Sequence, residues 1–412
     1  MRFLSGNAVI GQSGGPTAAI NSSLAGIITG LLASDSVKTV YGMRNGIEGF
    51  LGENLIDLSH VFSGEEGRDK LELLSHTPAS ALGSCRKKLP KPADDPAFYE
   101  NLIALFKKYD VRYFFYIGGN DSMDTVAKIT EYTKVNDYDI KVVGVPKTID
   151  NDLCSTDHTP GFGSCAKYIA TTVQEIIRDC AVYTVPAVTI VEIMGRDAGW
   201  LTVSSGLGRI VSGFAPDYIY LPERDFSLDA FLEDVKSALS KHPNVVIAVS
   251  EGLHDKDGDY IGAKAQSGAA DVFGHKYLSG TGKALELFIK EKIGCKVRSV
   301  ELNISQRCAA HISSATDISE AFGVGKAAAE AALSGATGCM MAIERRDDKE
   351  YSVCFVPKDI AGIANSVRTV PDDYINAEGN NVTDEALEYI LPLIRGEVDI
   401  KYRDGLPEIF VF

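Results

Sequence analysis

Short apolar runs that stop at glycine- or proline-led polar loops, each followed by a segment of helical period, recur along this chain. They point to an α/β fold built on mostly parallel sheets. The run Val142, Val143, Gly144, Val145 ends at Pro146 and hands over to Lys147, Thr148, Ile149, Asp150, Asn151 and Asp152. A β-branched run ended by proline reads as a buried strand, so three chargeable side chains stand where open α/β sheets hold ligands. Asp150 and Asp152, two apart on an irregular segment, suit a base and a neighbour that holds a cation or positions that base. Lys147 adds a positive charge, and the trio suits chemistry on an anion. Taken alone, the stretch is more simply a polar turn with helix-capping aspartates.

A second unit of the same build changes the balance. The aromatic and apolar run at 113–117 leads into Gly118, Gly119, Asn120, Asp121 and Ser122. Paired glycines let the backbone approach a ligand closely, and a helix expected over 122–133 aims its N-terminal amides at the loop, an arrangement suited to phosphate. A third unit opens the chain: a strand at 7–11, a loop with Gly14 and Gly15, then a helix with Ile20, Leu24, Ile27, Ile28 and Leu31 on one face. The spacing is not GxGxxG and no Walker lysine follows, so neither a dinucleotide site nor a P-loop is indicated.

Further units present more polar residues at strand ends. The run at 187–193 delivers Met194, Gly195 and Arg196, whose guanidinium can grip phosphate or pair with Asp197. The run at 244–250 presents Glu251, which could accept from sugar hydroxyls or cap a turn. Arg86, Lys87 and Lys88 follow Gly83 and Ser84, either as a phosphate clamp or, as short charge runs usually are, as a solvated turn. Residues 254–282, rich in Gly, Asp and Ser, are expected to form a mobile lid or edge. Helix is expected at 97–109, 164–180, 228–239, 283–292 and from near Gln306, and a strand at 296–302, with Trp200 in the core. The segment after about residue 338 reads as strands at 339–343 and 351–356 and a helix at 383–394, with no chemistry of its own.

A chain of 412 residues with 45% hydrophobic composition can bury two cores. Two interlocked α/β domains and a smaller C-terminal addition are expected. No stretch is apolar enough to span a bilayer and the first residues lack a signal-peptide core, so a cytoplasmic protein is expected. Eight cysteines are scattered without CxxC pairs or metal-ligand spacing, as in a reducing compartment. A net charge of −15 disfavours nucleic acid and anionic membranes as partners.

Taken in order, Ser13-Gly14-Gly15, Leu82 to Arg86, Gly118 to Ser122, Pro146 to Asp152, Met194-Gly195-Arg196, Ser250-Glu251-Gly252, Arg298 and Gln306-Arg307 resemble the 6-phosphofructokinases over roughly residues 7 to 360. The resemblance implies two doubly wound, mostly parallel-sheet domains of that type with a C-terminal extension. It makes Asp150 the base that takes the proton from the 1-hydroxyl of fructose 6-phosphate, with Lys147, Asp152 and Arg196 beside it in the catalytic set. Thr148, Ile149, Met194, Gly195, Arg196, Glu251, Ile304, Gln306 and Arg307 would hold the sugar phosphate, with Arg298 reaching in from a neighbouring subunit. Gly14, Gly15, Arg86, Gly119, Asp121 and Lys147 would face the phosphoryl donor. Mg²⁺ is the implied cofactor, held by Asn120, Asp121 and Asp150. A homodimer or homotetramer is the implied assembly.

Two side chains bear on the donor. Enzymes of this type that use ATP have glycine where Asp121 and Lys147 stand, leaving space for the nucleoside. A carboxylate at 121 fills that space and repels an α-phosphate, while an ammonium at 147 can hold the terminal phosphate of pyrophosphate. The pair therefore resembles the pyrophosphate-dependent branch; alternatively it is only a salt bridge in an ATP enzyme. Asn120 replaces a frequent magnesium-binding aspartate, Ala187 an arginine that crosses a subunit boundary, and Ile304 a histidine. A lipid or dinucleotide kinase and a catalytically silent regulatory subunit are the readings from other classes. The first should lack Met194-Gly195-Arg196 and Gln306-Arg307, and intact Lys147, Asp150, Asp152 and Arg196 argue against the second. The expected division is a donor domain at 1–145 completed by 255–300, a sugar-phosphate domain at 146–254 completed by 303–335, and an extension at 336–412.

Overall fold

The computed structural model describes residues 4–265, 280–346, 350–364 and 366–412. Residues 266–279 of the expected lid at 254–282 lie outside the described residues.

Eleven strands in chain order make the two main sheets: β1 (Gly6–Gln12), β2 (Val37–Met43), β3 (Leu55–Asp57), β4 (Val111–Gly118), β5 (Lys141–Pro146), β6 (Ala187–Ile193), β7 (Tyr218–Tyr220), β8 (Asn244–Ser250), β9 (Lys296–Glu301), β10 (Cys339–Arg345) and β11 (Val353–Asp359). The first sheet has the order β11-β10-β5-β4-β1-β2-β3, and the second β7-β8-β6-β9. The second sheet is parallel throughout, and the first is parallel except for its outer pairs β10-β11 and β2-β3. This is the mostly parallel α/β architecture expected of the sequence.

The central strands are apolar on both faces because helices cover both. On β4, Tyr113, Phe115 and Ile117 enter one core while Phe114 and Tyr116 enter the other. β6 does the same in the second sheet, with Val191 and Ile193 on one side and Val188 and Ile190 on the other. Trp200 is fully buried in the core beside β6, as expected.

The segments completing the two sheets are exchanged relative to the expected division. Residues 255–300 give the second sheet β9 and the helix Thr281–Lys292, whose Leu285 and Ile289 pack beneath β6 and β8. Within 303–335, the helix Ala315–Leu333 returns to the first sheet and lies along the helix Ile20–Leu32. A Cβ on Gly26 would stand 2.1 Å from the Phe322 carbonyl oxygen, and one on Gly325 2.1 Å from that of Ser23, so the two helix backbones meet at glycine. β10 and β11, assigned to a separate extension, continue the first sheet, with Cys339 beside Val143 of β5. The physical reason is that β5 would otherwise leave a row of backbone groups unpaired. Residues beyond, including Val370, Ala386, Leu387 and Ile390, pack into the second core.

Of the longer helices, a first, Gly64–His76, escapes the sequence reading, and a second, Ala315–Leu333, starts well after the helix expected from near Gln306, where the short helix Ser305–Cys308 forms instead. The first is dominated by charged residues, which blurs its period. The second is rich in alanine and glycine, and its contact with the helix Ile20–Leu32 is made by backbone rather than by an apolar stripe.

Candidate active site

β1, β4 and β5 lie side by side and parallel, so their following loops emerge along one edge. Gln12 stands beside Ile117, and Gly118 beside Pro146. Backbone bonds lock the three loops together: Ser13 N donates to Ile117 O at 2.9 Å and Lys147 N to Gly118 O at 3.0 Å. The loop after Leu82 joins them, with Gly14 N donating to Cys85 O at 3.3 Å and the Ser84 hydroxyl to Gly14 O at 2.6 Å. Above them opens a cleft of about 670 Å³ lined by Gly14, Gly15, Ser84, Arg86, Lys87 and Arg307. Gly14 has φ +77°, and a Cβ there would come to 3.3 Å from the Lys147 ammonium. A Cβ on Gly15 would approach Arg307 Nη1 to the same distance. The glycines thus let cations close over the loop without a side chain between.

Lys147 is buried, and its Nζ donates to Gly15 O at 2.7 Å. Burial lowers its pKa to about 8; Asp150 and Asp152 favour the ammonium, while Arg307 and Arg86 oppose it. Asp150 is half-buried, and the Thr148 hydroxyl donates to its Oδ2 at 3.1 Å. Burial raises the Asp150 pKa against the lowering effects of Thr148, Lys147 and Arg196. Burial and the charge of Asp150 raise that of Asp152 as well. Two carboxyls this close in a low-dielectric pocket resist ionising together, which suits one of them to accept a proton near neutrality.

The second sheet supplies the opposing wall. Glu251 N donates to Ile193 O at 2.9 Å, bringing the ends of β6 and β8 together. Gly195, at φ +135°, directs its amide to Glu251 Oε1 at 3.4 Å, and Ser250 Oγ donates to the Gly195 carbonyl. Met194 N donates to Gln306 Oε1 at 3.3 Å, which places Gln306 and then Arg307 at the same edge. Burial raises the Glu251 pKa to about 8, with the negative charge of Asp150 adding to it. Near neutrality this carboxyl keeps its proton and can both donate to and accept from a hydroxyl.

Thus Lys147, Asp150, Asp152, Arg196, Glu251 and Arg307 act electrostatically on one another across the space between the two sheets. Two expected contact residues, Ile149 and Ile304, are placed otherwise, while the expected contact of Arg298 is with a neighbouring subunit. The Ile149 side chain is buried in the second core, being the apolar anchor of its loop. Ile304 is 56% exposed at the start of the short helix Ser305–Cys308. Arg298 is exposed near Asp179, at 4.0 Å, and pairs in register with Thr189 on β6, towards the end of the sheet opposite Met194.

The helix after β4 is Asn120–Val135, two residues longer at its start than expected, so Asn120 and Asp121 lie in its first turn. Asn120 Oδ1 is buried without a hydrogen-bond partner. Asp121 faces Lys88 at 3.8 Å rather than Lys147. Arg86, Lys87 and Lys88 are all exposed, as a solvated turn requires, and at the same time Arg86 and Lys87 line the cleft and Lys88 meets Asp121. Gly83, at φ +74°, was the available signal, since it turns the run back towards the loops. Among the described residues no group of three His, Cys, Asp or Glu could hold a metal alone. A buried amide oxygen beside one or two carboxylates fits Mg²⁺, which usually takes its remaining ligands from substrate phosphates and water.

Residues 7–332 match the family described as Phosphofructokinase. The chain belongs to the phosphofructokinase family. Its relatives include the pyrophosphate--fructose 6-phosphate 1-phosphotransferases of Methylococcus capsulatus, 40% identical over 98% of this chain and 94% of the relative, and of Xanthomonas campestris, 41% identical over 98% and 95%. Among solved structures, the pyrophosphate-dependent phosphofructokinase of Marinobacter aquaeolei is 38% identical, with a TM-score of 0.86 over 98% of this chain and 95% of that one. At 98% of this chain the similarity extends beyond β11, so the segment that follows is part of the shared fold.

Proposed function

We propose that this site moves a phosphoryl group between pyrophosphate and the 1-hydroxyl of fructose 6-phosphate, giving fructose 1,6-bisphosphate and phosphate, and that it runs in both directions. The observation that carries the reading is the Lys147 ammonium, buried 2.7 Å from the Gly15 carbonyl between the glycine cleft and Asp150. A point charge there suits a terminal phosphate. Asp121 in the first turn of the helix Asn120–Val135 supports the reading, since the family resemblance implies that a carboxylate there repels an α-phosphate.

Phosphoryl transfer asks for in-line placement and neutralisation of spread charge rather than covalent help. Lys147, Arg86 and the amide-lined start of the helix Asn120–Val135 supply that charge to the donor. Asp150 takes the proton of the 1-hydroxyl, and its raised pKa brings it nearer the pH at which a general base works best. Asp152 keeps the pair from ionising fully. Thr148, Gly195, Arg196, Glu251, Gln306 and Arg307 hold the sugar phosphate. Asn120, Asp121 and Asp150 would hold Mg²⁺, which adds neutralisation of phosphate charge when bound.

The exposed Arg298 suits a contact with the sugar phosphate of a neighbouring subunit, so a homodimer or homotetramer is proposed. Among the described residues no helix is long and apolar enough to cross a membrane, and a cytoplasmic location is proposed with it.

The deciding experiment compares initial rates with fructose 6-phosphate and Mg²⁺, using pyrophosphate and ATP side by side. Turnover with pyrophosphate and none with ATP is expected. Turnover with ATP would overturn the donor assignment, and turnover with neither would indicate a silent subunit.

A further inference from the structure

The segment after the first sheet, residues 366–370, runs as a strap across the backs of both loops that form the site. On one side it meets the loop that carries Asp150. Val367 pairs with Leu153 in an antiparallel bridge, and Arg368 N donates to Asp152 O at 2.8 Å. The Arg368 guanidinium donates from Nη1 to Asp157 O at 2.6 Å and from Nη2 to the Tyr389 hydroxyl at 3.3 Å. Tyr389 itself donates to Asp157 O at 2.7 Å.

On the other side the strap meets the loop that carries Arg196. Trp200 Nε1 donates to Arg368 O at 3.0 Å, and the guanidinium lies 4.4 Å from the Trp200 ring centroid. Glu223 finishes the link: its Oε1 accepts both from Gly199 N at 2.8 Å and from Val370 N at 2.9 Å. One carboxylate oxygen therefore joins the strap to the loop three residues beyond Arg196. One arginine joins the same strap to the backbone of Asp152 and Asp157.

We propose that Arg368 and Glu223 are positioning residues that set the separation between the loop bearing Asp150 and the loop bearing Arg196, and thereby the aim of the sugar hydroxyl at its base. Neither touches substrate. The inference rests on the site assignment above. It gives a catalytic use to a C-terminal segment whose sequence carries no chemistry. The donor cleft is built by Gly14, Gly15 and Arg86 on other loops. Lys147, though it opens the loop of Asp150, is tied to Gly15 and Gly118 ahead of the strap's contacts at Asp152 and Leu153, so the strap acts on the sugar phosphate more than on pyrophosphate.

The test is steady-state kinetics on the full-length enzyme with Glu223→Met, Glu223→Gln and Arg368→Lys, each also followed by thermal melting. Gln keeps an oxygen that can accept from both amides, so Glu223→Gln is expected to stay within about twofold of the parent. Glu223→Met removes the acceptor, and misplacement of a reacting group by about an ångström is costly. It is expected to raise the KM for fructose 6-phosphate by about tenfold or more and to lower kcat, with the KM for pyrophosphate changed less than about twofold. Arg368→Lys, which keeps the charge but loses the planar fork, is expected to show the same split in weaker form, and it decides the matter if Glu223→Met fails to fold. A folded variant with both KM values unchanged, or with both raised alike, overturns the proposal. Asp150→Ser run beside them separates the two levels: if it retains turnover, the site assignment itself fails, whatever the strap variants do.

Discussion

The Lys147 ammonium donates to the carbonyl of Gly15 at 2.7 Å, so the charge that follows β5 is tethered to the loop that follows β1. Burial lowers its pKa to about 8, which means that the charged form is present below that pH and lost above it. Accordingly kcat/KM for pyrophosphate, which reports the free enzyme, should fall as pH rises through about 8. Lys147→Arg, which cannot lose its proton, should abolish that descent even if its absolute rate is lower. A descent unchanged in Lys147→Arg would assign the titration to another group.

Glu251 titrates in the same region in the opposite sense of charge. Its pKa is raised to about 8, so it is neutral below and anionic above, where it would repel the sugar phosphate. The KM for fructose 6-phosphate should therefore climb above about pH 8, and Glu251→Gln should remove the climb. Parallel profiles for parent and variant would show that the carboxyl does not meet the sugar.

Asp150→Ser should lower kcat by about 10²- to 10⁴-fold, the usual contribution of a general base, while the dissociation constant of fructose 6-phosphate shifts only a few-fold. Binding can be followed by calorimetry. Undiminished turnover would remove Asp150 from its role.

Conversion of Asp121 and Lys147 together to glycine should cut kcat/KM for pyrophosphate by about tenfold or more, since a buried charged hydrogen bond to phosphate is lost. Because Asp121 meets Lys88 and not Lys147, the two single variants should act nearly independently. Pyrophosphate kinetics equal to the parent's would refute the donor argument.

Gly325→Ala should destabilise the protein by about 1–3 kcal/mol, because the added methyl collides with the Ser23 carbonyl oxygen and the helices must part. Thermal melting checks this, and an unaltered midpoint would mean that the helix pair yields without cost.

The sequence makes the loops legible because each follows a run that can only be a buried strand: the aromatic run before Gly118 and the β-branched run before Pro146 leave no amphipathic alternative. Glu251 and Arg196 are placed by the same logic. What remains hidden depends on partners distant in the chain. Nothing near Cys339 states that it will lie beside Val143, or that Gly26 will face Phe322. Ile149 sits within a polar loop and so resembles a contact residue, although its apolar side chain is what fastens that loop to the core. Arg368 looks like a surface charge in a featureless tail. Its value becomes visible only when Asp157, Trp200 and Tyr389 gather round it.

β10 and β11 are synthesised after the whole of the second sheet yet belong to the first. A ribosome making this chain from its N-terminus therefore releases β6 to β9 with every strand of their sheet in hand, while β5 still waits for its neighbour. Until residues 339–359 emerge, the strand that leads into Lys147 and Asp150 has one bare edge. During translation, the loop that carries Lys147 and Asp150 is thus attached to a strand edge open to pairing with the wrong strand.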